Sequence, residues 1–391
     1  MSFRRFPPQL YALMAISLLC HVTMSGGRVT AGLYVLRAGY SEAWAGVLFG
    51  LYSLLPVLIS LRIGRLVDRV GVTPVMRGAQ AVLLFGLLVP VLWPGAGAVV
   101  VTALASGLGF NAFMLAAFVL VGQASGGDRA LRTSMFAWVM LGNSVSAIFG
   151  PALAGALIDN GGFRVTFAVL AAIVGSGLVA GRFVPLSLPG ETLGADPGQP
   201  RSIWLLLREE QDMQRVLMVS ALLAVGWDAF QFLVPAIGHQ RGYSATQIGL
   251  IMSAFAVGAF AVRLVFPWLT RHVGEWRLVI TALLVNAGAF ALMPASVWPP
   301  LMMTLAFVLG FCTGGAQPSV LSLLHQSAPP GRAGEAIGLR ATINHFTGLT
   351  SPTVFGTVMA VAGAWVGFGA VAITMLGAAQ LARRGEHPPA P

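Results

Sequence analysis

Apolar residues run through this chain in long blocks separated by short polar interruptions. A helix needs about 20 mostly apolar residues to cross the hydrocarbon core of a bilayer. Twelve blocks have that length: 10–36, 43–62, 75–93, 98–122, 133–157 and 164–183, then 214–237, 245–267, 277–297, 299–324, 335–361 and 364–382. They are continuous, whereas the strands of a membrane barrel would alternate over about ten residues. The pattern predicts an all-α membrane protein with twelve transmembrane helices. The first block follows Arg4 and Arg5, as a signal peptide would, but no small-residue cleavage site closes it and it continues past Ala31. It is expected to remain as the first helix.

Composition removes other classes. Only 9% of residues are charged and 57% are hydrophobic, with a mean hydropathy of +0.81, against about 25% charged in soluble domains. Too few charges remain to wet a soluble surface, so a soluble enzyme, a disordered regulator and a nucleic-acid binder fit poorly. All 23 basic residues are arginine, and the net charge is +10. With the N-terminus in the cytoplasm, seventeen arginines fall in inner segments and three, Arg37, Arg164 and Arg241, in outer loops. That bias predicts a multi-pass protein of the bacterial inner membrane with both termini cytoplasmic. Arg28, Arg263 and Arg340 fall inside spans instead. Cys20 and Cys312 lie in apolar runs, and no Cys/His cluster suggests a metal. No cofactor, phosphate-binding loop or nucleophile–base set is discernible, so no enzymatic role is expected.

The two halves repeat one another. Gly39-Tyr40-Ser41 recurs as Gly242-Tyr243-Ser244, and at the same offset of 203 Gly46 matches Gly249 and Gly71 matches Gly274. Leu108-Gly109-Phe110 recurs as Leu309-Gly310-Phe311, and Asn143, Pro151 and Gly155 as Asn344, Pro352 and Gly356, at an offset of 201. The expected organisation is two pseudo-symmetric six-helix bundles, 1–184 and 214–391, joined by a Pro/Gly-rich cytoplasmic linker, 185–213. Parallel repeats of this kind place a solute site between the halves near mid-membrane.

Between spans two and three, Gly64-Arg65-Leu66-Val67-Asp68-Arg69-Val70-Gly71 reads as a tight charged turn suited to gating. Its carboxylate can pair with arginine or cap a helix N-terminus. The segment resembles the G-x-x-x-D-R-x-G signature of the major facilitator superfamily, and twelve spans, a 6+6 repeat and internal termini resemble that family over the whole chain. The resemblance implies alternating access, with Gly64, Asp68, Arg69 and Gly71 in a cytoplasmic gate. Gly150-Pro151-Ala152-Leu153-Ala154-Gly155 resembles the glycine-proline motif of the family's drug and metabolite exporters, although Pro352 repeats it in the second half. Both prolines are expected to bend their helices and help the halves rock. The exporters' arginine linked to proton coupling is replaced by Ala103 here.

Ionisable groups within spans are costly and so mark function by default. His21, Ser25 and Arg28 form one stripe on span one, and the 203 offset maps Ser25 to Asp228 and Arg28 to Gln231 on span seven. Arg340, Asn344, Thr347 and Ser351 form another on span eleven. Expected solute contacts are Arg28, Ser25, His21, Gln231, Asn143, Asn344, Arg340 and Arg263, with Asp228 as the proton-carrying group. Structural ion pairing, snorkelling to the interface and interhelical hydrogen bonding are the competing roles for these residues. The expectation is a monomeric secondary transporter whose partners are a small organic solute, anionic if the three arginines face water, together with protons and membrane lipids. Proton-coupled export by an antiporter is preferred, with uptake or facilitated movement of an organic anion as the alternative. A non-transporting receptor or a lipid mover is the reading from outside transport.

Overall fold

A computed structural model describes residues 8–124, 129–183, 211–328 and 333–386. Its regular structure is helical throughout these residues. The first four spans are α1 (Pro8–Arg37), α2 (Glu42–Val70), α3 (Val72–Leu92) and α4 (Ala96–Ala124). The stretch Arg129–Phe183 is broken at Gly162 (φ 76°) into α5 (129–161) and α6 (163–183). Then come α7 (Gln211–Gln240), α8 (Ala245–Val273), α9 (Glu275–Leu292) with a 3-10 turn at Met293–Ala295, and α10 (Pro299–Ser327). The stretch Ala333–Glu386 is broken at Gly363 (φ 83°) into α11 (333–362) and α12 (364–386). This is the expected all-α membrane fold: each apolar block corresponds to a helix, although the blocks at 75–93 and 277–297 run past the ends of α3 at Leu92 and of α9 at Leu292. Most of the expected linker, 185–210, lies outside the described residues, and α7 begins at Gln211.

The repeat is visible in the backbone. Among the described residues, every residue with positive φ is a glycine, and the six form three pairs: Gly39 with Gly242, Gly71 with Gly274, and Gly162 with Gly363. A side chain at these left-handed positions would be strained, so the chain reverses direction where the repeat supplies glycine. One expectation is corrected here. The segment from Gly64 is not a turn: α2 continues through Val70, and Gly71 alone (φ 87°) separates it from α3. Gly64, Asp68 and Arg69 therefore sit on a helix.

Packing divides the chain into two compact units. The first comprises the described residues of 1–40, 48–193 and 244–253 and is built around Leu13, Phe49, Phe113 and Phe167. The second comprises the described residues of 41–47, 194–243 and 254–391, around Phe230, Phe232, Phe290 and Phe368. The opening turns of α8 thus pack in the first unit and those of α2 in the second.

Small residues let backbones touch, as membrane helices require. In the first unit a Cβ at Gly107 would strike the Tyr52 carbonyl, and in the second a Cβ at Gly310 would strike the Phe255 carbonyl. These equivalent contacts have an offset of 203. The match of Leu108-Gly109-Phe110 with Leu309-Gly310-Phe311 is therefore two residues out of register, and the drift to 201 falls after this point in α4. Likewise Gly249 and Gly155 meet the Pro151 and Ala245 carbonyls in the first unit, while Gly46 and Gly356 meet those of Pro352 and Glu42 in the second.

Asp159, at the end of α5, joins that contact in the first unit. Its oxygens accept the backbone N–H groups of Ala245 (3.0 Å) and Thr246 (2.7 Å), capping α8, and Arg37 approaches to 3.6 Å. A carboxylate there satisfies two orphan donors and complements the helix dipole. Asp159→Ala is expected to lower stability by about 1 kcal/mol, read as a fall in Tm of the detergent-solubilised protein. An unchanged Tm would mean the cap contributes nothing.

Candidate solute site

In the first unit, the stripe on α1 is divided between two neighbours. His21 Nδ1 lies 2.8 Å from Ser146 Oγ on α5, and its ring meets Phe110 of α4 edge-on at 5.3 Å. Ser25 donates to the backbone carbonyls of His21 (2.9 Å) and Val22 (3.2 Å), with Gly150 packed over its hydroxyl. Asn143 on α5 accepts from Ser17 of α1 at 3.0 Å. These three candidates help to hold α1 against α5. Arg28 instead faces α2, its guanidinium 5.1 Å from the Phe49 ring centre and 5.7 Å from that of Tyr52. Aromatic faces stabilise a cation by their quadrupole.

In the second unit, Arg340 on α11 is half-buried and points inward. Its Nε donates to Ser220 Oγ of α7 at 2.8 Å, and its Nη2 donates to Gln317 Oε1 of α10. Both acceptors are neutral, and among the described residues no carboxylate forms an ion pair with Arg340. One turn along, Asn344 buries an Oδ1 with no hydrogen-bond partner among the described residues. Asp228 on α7 is 9% exposed and is the one buried carboxylate among the described residues. Gln231 is half-buried one turn further along α7, whereas Arg263 is exposed on α8.

The expected gate residues divide as well. Asp68 and Arg69 are exposed, and among the described residues Asp68 has no hydrogen bond or ion pair. The N-cap of α3, Gly71, makes no side-chain capping bond. Pro151 and Pro352 lie where Gly249 and Gly46 seat against their carbonyls. A cavity of about 300 Å³ between α2, α3 and α4 is lined by apolar residues such as Ile63, Val82 and Leu108 and holds none of the candidates.

Sequence reading left out several residues that now matter. Phe49 and Tyr52 are one turn apart on α2, but nothing in the sequence pairs them with Arg28. Ser220 had a signal: it is Ser17 displaced by 203, and each bonds across the first and fifth helices of its repeat. Gln317 lies within span ten, but nothing in the sequence pairs it with Arg340. The outer-loop Arg241 is structural, with its guanidinium donating to the carbonyls of Pro294 and Ser296.

Comparison with known proteins agrees with this architecture. The chain is 31% identical over 238 residues to the probable nitrate/nitrite transporter NarK2 of Mycobacterium tuberculosis, a match covering 58% of this chain and 57% of that protein. It is 25% identical over 341 residues to the class C tetracycline resistance protein of Escherichia coli, covering 82% of each. Among solved structures, the peptide transporter POT in complex with sulfate superposes with a TM-score of 0.81 at 15% identity, over 98% of this chain and 95% of that one. That likeness is one of fold. The sequence profile of the Major Facilitator Superfamily matches residues 13–352. The repeat of twelve helices among the described residues and this match together place the chain in that superfamily of multi-pass membrane transporters, whose solutes are small molecules.

Proposed function

We propose that this protein is a secondary transporter of the bacterial inner membrane, with cytoplasmic termini, that moves a small anion by alternating access. One observation carries the reading. Arg340 lies among membrane helices, where a charge costs several kcal/mol unless it is compensated, and its hydrogen-bond partners, Ser220 and Gln317, are neutral. An anionic solute supplies the missing charge. Arg28, solvated by Phe49 and Tyr52, and Asn344, on the same face as Arg340, are the next candidates to touch it. Asp228 is the group to carry a coupled proton. The likeness to NarK2 supports an anion, while the longer likeness to the tetracycline resistance protein supports export of a drug-like solute as a second reading.

The test is flux in sealed vesicles containing the purified protein, with nitrate as the probe. A hydrogen bond to a charged group contributes about 1.5–3 kcal/mol, so Arg340→Ala is expected to raise the KM for nitrate about tenfold or more. Nitrate flux unchanged in that variant overturns the anion reading. Tetracycline flux, with no nitrate flux in the wild type, favours the drug reading.

A further inference from the structure

The partners of Arg340 hold a further consequence, which rests on the anion reading. A buried guanidinium is most simply stabilised by a carboxylate from a facing helix, in a bidentate pair. Helix α10 presents Gln317 at that place instead, and its Oε1 accepts from Nη2 while Ser220 accepts from Nε. Glutamine has the shape of glutamate and the same acceptor oxygen, without the charge. The two bonds come from different helices, so they fix the guanidinium in both tilt and depth. They leave its charge intact. Asp228, the buried carboxylate of this unit, is eight residues beyond Ser220 on α7, about 12 Å along the helix axis, too far to take the place of a direct partner.

We infer that Gln317 determines the charge specificity of the transporter: it positions Arg340 while leaving its charge uncompensated, so that the solute must act as the counter-anion. Ser220 shares the positioning but contributes less to specificity, because its hydroxyl bonds to Nε at the edge of the guanidinium. A glutamate at 317 would make the pairing internal, and the site would then close on itself.

Two variants of the full-length protein, Gln317→Glu and Gln317→Met, test this, with nitrate as the probe in vesicle flux and Tm as the structural readout. Gln317→Glu is expected to keep or raise Tm, through the new ion pair, while the KM for nitrate rises about tenfold or more. Gln317→Met retains volume and neutrality but loses the acceptor, so its KM is expected to rise only about threefold. A merely structural role predicts instead that both variants lose flux in proportion to a fall in Tm. If Arg340→Ala loses nitrate transport but Gln317→Glu keeps wild-type KM, the inference is overturned and the anion reading stands. If Arg340→Ala itself is unaffected, both are overturned.

Discussion

Gly46→Val is expected to reduce transport about a hundredfold, and Gly249→Val to do the same. Any side chain at either position strikes a proline carbonyl of the facing helix, Pro352 for Gly46 and Pro151 for Gly249. Backbone cannot move aside as a flexible side chain can, and overpacking of this kind costs up to about 3 kcal/mol. That is two factors of ten in the population of any state that needs the contact. The two positions are equivalent in the repeat, so equal phenotypes are part of the prediction. Gly288→Val is the control, since a Cβ there meets nothing within 4 Å. Initial rates of nitrate flux, normalised to the amount of protein reconstituted, measure the effect. Wild-type rates in both variants would show that the seating of α2 on α11 and of α8 on α5 has no part in the cycle.

Asp228→Asn is expected to abolish the response of flux to an imposed pH gradient while leaving downhill nitrate movement. Asparagine preserves the size of this 9% exposed side chain but cannot take up or release a proton. Each pH unit across the membrane is worth about 1.4 kcal/mol per proton, enough for about tenfold accumulation of a solute coupled one to one. Wild-type vesicles should reach that accumulation and mutant vesicles should only equilibrate. Accumulation retained in the variant removes Asp228 from the coupling step.

Much of the fold was legible because lipid imposes a one-dimensional rule: every span must be an unbroken apolar run, and every reversal needs a residue that tolerates it. Hence each span corresponds to a helix, and the glycine pairs at 39 and 242 and at 71 and 274 became turns. Where the rule is silent, the reading drifted. Charge and glycine around Gly64 looked like a loop, yet nothing there prevents helix, and α2 runs on to Val70. The register of α4 was misjudged because Gly109, flanked by Leu108 and Phe110, is the better match to Gly310 in sequence, and only contact with the Tyr52 carbonyl identifies Gly107 as its equivalent.

The candidate site was less legible, for a related reason. Periodicity identifies residues that share a helix face, as His21, Ser25 and Arg28 do, but not what that face meets. His21 and Ser25 turned out to lie against α5, and Arg28 against α2. Arg340 was visible as a charge out of place, yet the neutrality of its surroundings depends on α7 and α10, more than a hundred and about twenty residues away in the chain.

The paired seats of α2 and α8 also bear on symmetry. Expressed in the numbering of a single repeat, Gly46 against Pro352 and Gly249 against Pro151 are one and the same contact, between the second helix and the fifth, made once in each direction. Reciprocal contact of this kind is the mark of an isologous interface between identical subunits. A single six-helix unit with these residues would carry the glycine and the proline carbonyl on one self-complementary surface, each seat the counterpart of the other.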